Sequence, residues 1–169
     1  PPRSTLFPYT TLFRSFEDHL FPSWKTLLLQ RFHKTISPEL LQRILFLPWI
    51  SSPDDFLSAN ALADVIIDPF HFGIGTTIIS AFTVGTPVVT FPGAFLRGRV
   101  GFGFCSLMNL HECIASSPQH FAQIACNIAN NPSLRLSSHN KILNNNHLLF
   151  NNSQAIQHLT QFIIQSVKI

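Results

Sequence analysis

Charge is scarce in this chain. Only 11% of its 169 residues are Asp, Glu, Lys or Arg, against 46% hydrophobic residues. Disordered chains show the opposite balance, so this composition points to a packed core. Eleven Lys and Arg stand against eight Asp and Glu, a formal net charge of +3. Nowhere do the cations cluster densely enough for a nucleic-acid surface, and no nucleic-acid partner is expected. No acid follows Glu112. The three cysteines (Cys105, Cys113 and Cys126) are odd in number and follow no metal-ligand spacing, which reads as reduced thiols in a cytoplasmic protein. His111-Glu112 fails as a zinc motif, because Ala115 stands where a second His is required. The other histidines are scattered, and no metal is expected. No apolar run is long enough to span a membrane. A chain of this length suits one domain, or one lobe of a two-lobed enzyme.

The first fifteen residues, PPRSTLFPYTTLFRS, carry neither a helical nor a strand period. They resemble translated sequencing-adapter read-through, as found at the edges of assembled metagenomic genes. The alternative is a disordered natural terminus. On either reading residues 1–15 stand outside the fold. The native sequence is expected to start near Phe16, inside a longer protein, so that residues 16–169 form a lobe truncated on its N-terminal side.

From there short apolar runs alternate with helical patterns. Residues 22–36 read as a helix, and residues 38–42 as a further helical turn. RILFLP (43–48) is a buried strand closed by proline. Ser52 caps a helix with Pro53 at its first position. ADVIID (63–68) is a second strand, followed by a glycine turn and a helix over 76–84. Gly85 sits where a helix C-terminal glycine belongs, with Pro87 just beyond. PVVTF (87–91) is a third strand. Helices are expected over 94–108, 118–130, 132–150 and 153–167, with no strand left at that end. The alternation predicts an α/β fold, a Rossmann-like parallel sheet with helices on both faces and a helical C-terminal tail. The three strands are expected to be neighbours.

The informative segment is DVIIDPFHFGIGTTIISAFTVGTPVVTFPG, residues 64–93. A strand runs into Gly73-Ile74-Gly75, and Thr76-Thr77 opens the next helix. Such a turn brings backbone N–H groups close to a phosphate, and the helix start adds donors and partial positive charge. Ligands of open parallel sheets lie beyond the carboxyl ends of the strands, where residues 92–96 also fall. The plainer reading is that the glycines make a tight turn and Thr76 caps a helix. A dinucleotide fingerprint is incomplete: Ile78 replaces its last glycine, and no acid ends the third strand. Asp68, at a strand end, either takes part in the site or holds the turn through backbone N–H groups.

RILFLP, DDFL, ADVIIDPFHFGIGTT, GTPVVTFPG and FLRGRV, in this order between Arg43 and Ile114, resemble the C-terminal catalytic region of the O-GlcNAc transferase and SPINDLY family. KILNNNHLLF through QFI is similar to the family's end. The resemblance implies the C-terminal, donor-binding lobe of a GT-B glycosyltransferase, with a second lobe and often tetratricopeptide repeats upstream. It implies transfer of a sugar, commonly N-acetylglucosamine, from a UDP-sugar to Ser or Thr of a protein acceptor, without a metal. It places Gly75, Thr76 and Thr77 around the donor diphosphate and Phe56 near the uracil, with Gly73 beside them as a further donor-site candidate. Arg97 and Arg99 belong to the motif, as phosphate contacts or as structural pairs. Two positions depart from the family pattern. Ser80 stands where members carry an acid for the ribose hydroxyls, and Ile74 stands where the turn has a third glycine. A degenerate, non-catalytic nucleotide-binding or scaffolding member of the same fold is the alternative these departures favour. No catalytic base is named within these residues.

Overall fold

The computed structural model describes residues 13–16, 23–150 and 153–167. The chain divides into two compact units, Pro1–Phe56 and Leu57–Ile169.

The first unit holds β1 (Phe13–Phe16), α1 (Ser23–Thr35), α2 (Pro38–Leu41), β2 (Ile44–Leu47) and the start of α3 (Pro53–Ala61). β1 and β2 pair in parallel, with Phe13 opposite Ile44 and Phe16 opposite Leu47. The segment set aside on composition therefore has its last three residues in a ladder, whereas residues 1–12 lie outside the described ones. Local chemistry explains the start of α3. The Asp55 N–H donates to Ser52 Oγ at 3.3 Å, and Pro53 at the first position gives up a donor the helix does not need.

The second unit contains β3 (Ile66–Ile67), α4 (Thr77–Thr83), β4 (Val88–Val89), α5 (Val100–Leu107), α6 (Pro118–Asn130), α7 (Pro132–Asn145) and α8 (Ser153–Val167). β3 and β4 are parallel, Ile66 opposite Val88 and Ile67 opposite Val89. Their pairing extends through the Asp68 N–H, which donates to Val89 O at 2.9 Å. Beyond β4, Thr90 makes a parallel bridge to Ile114. Ile78 and Phe82 of α4, Val88 and Val89 of β4, and Met108 and Leu110 after α5 have no accessible surface. Burial of each such side chain contributes about 1.5–3 kcal/mol. α4 and α6 both pack on β4. Phe70 meets the rings of Phe91 and Phe121 edge-on, at 5.5 and 4.9 Å between centroids.

The helix ends follow the sequence signals. α4 stops at Gly85, whose φ of +74° is strained for any residue with a side chain. Thr86 N–H then closes onto Ala81 O at 2.9 Å. A Cβ at Gly85 would also strike the His139 ring of α7. Ser117 Oγ accepts from the His120 N–H at 3.0 Å and Asn131 Oδ1 from the Leu134 N–H at 3.1 Å, capping α6 and α7. α8 turns Ile156, Leu159, Phe162 and Ile163 to solvent. Among the described residues no helix is long and apolar enough to cross a membrane.

Three expectations are corrected. Among the described residues β2 pairs with β1, and β3 pairs with β4, so only the second and third predicted strands are paired with each other. Both ladders are parallel, as the alternation requires, but apolar runs do not encode their partners. The helix expected over 94–108 is a 3-10 turn at Leu96–Gly98 followed by α5, because the Gly93 N–H donates to Gly98 O at 2.9 Å and closes a strap. α7 ends at Asn145 and gives way to a 3-10 turn, Asn146–Leu149, rather than running to residue 150. Ile114, in a stretch for which no element was expected, adds an isolated parallel bridge to Thr90.

Candidate functional site

The glycine turn lies where β3 ends. Asp68 leaves the strand, and Pro69 to Phe72 carry the chain to Gly73. Three constraints set the turn. The Gly73 N–H donates to Arg97 O at 2.8 Å, and the Ile74 N–H donates to Asp68 Oδ1 at 2.8 Å. Gly75 then takes a φ of +55°, and no atom lies within 4 Å of where its Cβ would stand. Glycine is required there by conformation, not by crowding.

The first turn of α4 uses its own donors. The N–H groups of Thr77, Ile78 and Ile79 donate to Ile74 O, Gly75 O and Thr76 O at 3.1, 3.2 and 3.0 Å. Among the described residues the N–H groups of Gly75 and Thr76 donate to no backbone carbonyl. Thr76, in the helical region at φ −64° and ψ −21°, makes no side-chain cap. The capping role considered for its hydroxyl is therefore not used. Two successive N–H groups at a left-handed then right-handed pair, with a hydroxyl on the second residue, are a backbone arrangement that suits an anion. Thr76 is exposed and Thr77 half-buried. Ser80, half-buried, follows Thr76 by one turn, its N–H reaching Thr76 O at 3.4 Å.

The strap from Gly93 to Gly98 borders this turn. Arg97 is bonded at both ends of its residue: its carbonyl accepts from Gly73, and its Nε donates to His71 O at 3.2 Å. Its guanidinium lies over the Phe95 ring at 4.6 Å. Arg99 donates to Gly93 O at 3.0 Å and lies over Phe102 at 5.1 Å. Both arginines thus make structural contacts within the chain. Phe72, Phe95 and Leu96 stand at the rim, 72%, 65% and 80% exposed.

The structure thus brings Gly73, Gly75, Thr76, Thr77, Ser80 and Arg97 together in the second unit. Phe56 is half-buried on α3 and belongs to the first unit. Two residues around the turn went unnoticed in the sequence. Thr90 Oγ1 donates to Asp68 Oδ2 at 2.9 Å, and Gly101 leaves room for that same carboxylate. The available signals were an acid closing an otherwise apolar strand and a glycine inside a helical pattern.

Comparison with known proteins bears on the family and the fold. The family model described as Glycosyl transferase family 41 matches residues 21–159. A UDP-N-acetylglucosamine--peptide N-acetylglucosaminyltransferase of Giardia intestinalis is 25% identical over 134 residues, which are 79% of this chain and 9% of that protein. A probable UDP-N-acetylglucosamine--peptide N-acetylglucosaminyltransferase SPINDLY of Oryza sativa subsp. japonica is 28% identical over 102 residues, 59% of this chain and 11% of that one. Among solved structures, an O-GlcNAc transferase mutant of Thermobaculum terrenum matches in fold, with a TM-score of 0.71 at 17% identity, over 90% of this chain and 29% of that one. The chain therefore spans about a tenth of the length of these curated relatives. With most of its length matched by the family model and an α/β glycosyltransferase fold, the chain belongs to glycosyl transferase family 41.

Proposed function

We propose that residues 16–169 are the UDP-sugar-binding lobe of a cytoplasmic protein O-glycosyltransferase. The donor is a UDP-sugar, with N-acetylglucosamine as its sugar, and the acceptor is a Ser or Thr of another protein. The observation that carries this reading is the turn at the end of β3. Its Gly75 and Thr76 N–H groups face no backbone acceptor, and the Thr76 hydroxyl is not spent on capping. A diphosphate supplies the acceptors such an arrangement needs, and the start of α4 favours its negative charge. Neither step requires a metal. Thr76 and Thr77 are assigned to the phosphate oxygens, Ser80 to the ribose, and Phe56 to stacking on the uracil. Arg97 acts by holding the strap against the turn. A second lobe of the same protein supplies the acceptor side and the catalytic base, and upstream tetratricopeptide repeats select acceptors.

Two results test this reading. Calorimetric titration should detect UDP binding that Thr76→Val and Thr77→Val weaken. The longer protein, with its second lobe, should transfer sugar from UDP-N-acetylglucosamine to a protein acceptor. UDP binding without transfer by the longer protein would favour the second reading, a non-catalytic binding module. Ser80 and Ile74 support that alternative, since a carboxylate at the ribose and a third glycine at the turn are both missing. Absence of UDP binding would overturn the transferase and the nucleotide-binding readings and leave a scaffolding role.

A further inference from the structure

Asp68 is 2% exposed. Burying a carboxyl group is unfavourable unless its oxygens find partners. Here each oxygen accepts a hydrogen bond from a different part of the chain. Oδ1 accepts from the Ile74 N–H at 2.8 Å, inside the glycine turn. Oδ2 accepts from Thr90 Oγ1 at 2.9 Å, just past β4. Two glycines make room for the group. A Cβ on Gly73 would stand 2.8 Å from Oδ1, and a Cβ on Gly101, in the first turn of α5, would collide with Oδ2. One side chain therefore ties together the end of β3, the turn before α4, the residue after β4 and the start of α5. The strap follows, because Gly73 N–H holds Arg97 O.

The Ile74 bond matters most for chemistry. It fixes the Gly73–Ile74 peptide, one peptide ahead of the one that carries the Gly75 N–H, and so constrains the backbone that leads into the Gly75 and Thr76 N–H groups. A turn built only for reversal would be satisfied by an exposed Asx residue within it. This turn instead takes its constraint from a buried group six residues upstream.

We propose that Asp68 is a positioning residue for the donor diphosphate. Its carboxylate orients the Gly75 and Thr76 N–H groups, and Thr90 and Gly101 hold that carboxylate in place. Asp68 itself touches no substrate. This inference rests on the UDP-sugar reading above and adds a residue to it.

The test compares UDP with uridine, which has no phosphate, in calorimetric titrations well below the melting temperature. Asp68→Asn keeps the shape of the group but weakens the acceptor on Ile74. Thr90→Val keeps its own shape but frees Oδ2. Asp68→Asn should weaken UDP binding roughly tenfold, the difference between a charged and a neutral hydrogen-bond acceptor, with uridine affinity unchanged. Thr90→Val should shift UDP in the same direction, by less. If Asp68→Asn does not fold, Thr90→Val decides by the same criterion. An equal loss for UDP and uridine means a general structural role, and overturns the inference while leaving the UDP-sugar reading intact. Unchanged UDP affinity in both variants does the same. Failure of the unsubstituted protein to bind UDP overturns the reading and the inference together.

Discussion

Two glycines of α5, two residues apart, should respond to alanine in opposite directions. Gly103 is exposed in the middle of the helix, and nothing lies within 4 Å of where its Cβ would be. Gly103→Ala therefore removes only the conformational cost of glycine and should stabilise the protein by about 0.5–1 kcal/mol. Gly101 is buried, and its φ is not in the left-handed region, so alanine is allowed by backbone conformation. Its Cβ, however, would collide with Asp68 Oδ2 and stand 2.9 Å from Thr90 Oγ1. The carboxylate cannot retreat freely, because Ile74 and the Gly73 backbone hold its other side. Overpacking of this kind costs about 1–3 kcal/mol, which exceeds the gain in helix propensity. Gly101→Ala should then destabilise by about 1–2 kcal/mol net, a fall of several degrees in melting temperature for a chain of this size. Chemical denaturation of both variants, with the slope checked for constancy, measures the difference. If Gly101→Ala stabilised as much as Gly103→Ala, the carboxylate would not sit against α5. The frame built on Asp68 would then be wrong.

Ser80→Glu, one turn after Thr76, should tighten UDP binding about tenfold by offering the ribose hydroxyls a charged acceptor, while Thr77→Val weakens it; a lower affinity for Ser80→Glu would place the ribose elsewhere. The face of α8 carrying Ile156, Leu159, Phe162 and Ile163, 52–66% exposed, should drive association of the isolated chain. Leu159→Asp with Phe162→Asp should abolish concentration dependence in sedimentation, and an unchanged profile would show that the face is inert. Burial pushes the Cys113 thiol up to about 12 from an ordinary value of 9.0, and raises Cys105 as well. Unfolded thiols lose their protons first as pH rises above about 9, so stability should fall between there and about 12. At pH 8 an alkylating reagent should label exposed Cys126 first, and prompt labelling of all three thiols in the folded protein would contradict the core described here. On the proposal that residues 1–15 are foreign to the protein, deleting 1–12, which leaves β1 in place, should not lower the melting temperature; a marked loss would count against it.

The start of α3, the end of α4 and the backbone of the turn were legible in the sequence, because each depends on residues close along the chain. Ser52-Pro53 starts α3 where expected, and Gly85 ends α4 with a positive φ. Gly75 and Thr76 mark the turn because only glycine accepts the left-handed backbone there. The strand partners were not legible. β2 pairs with β1, and Thr90 with Ile114, through backbone groups that every residue carries alike, so apolar runs reveal strands but not neighbours. Asp68 shows the same division. Its place at a strand end suggested that it holds the turn, which its bond to Ile74 bears out. That its second oxygen meets Thr90, 22 residues away, and that Gly101 is small to admit it, arises only when β3, β4 and α5 pack together. The intrachain partner of Arg97 was hidden for the same reason: the carbonyl of His71 that takes its Nε comes within reach only once the strap closes.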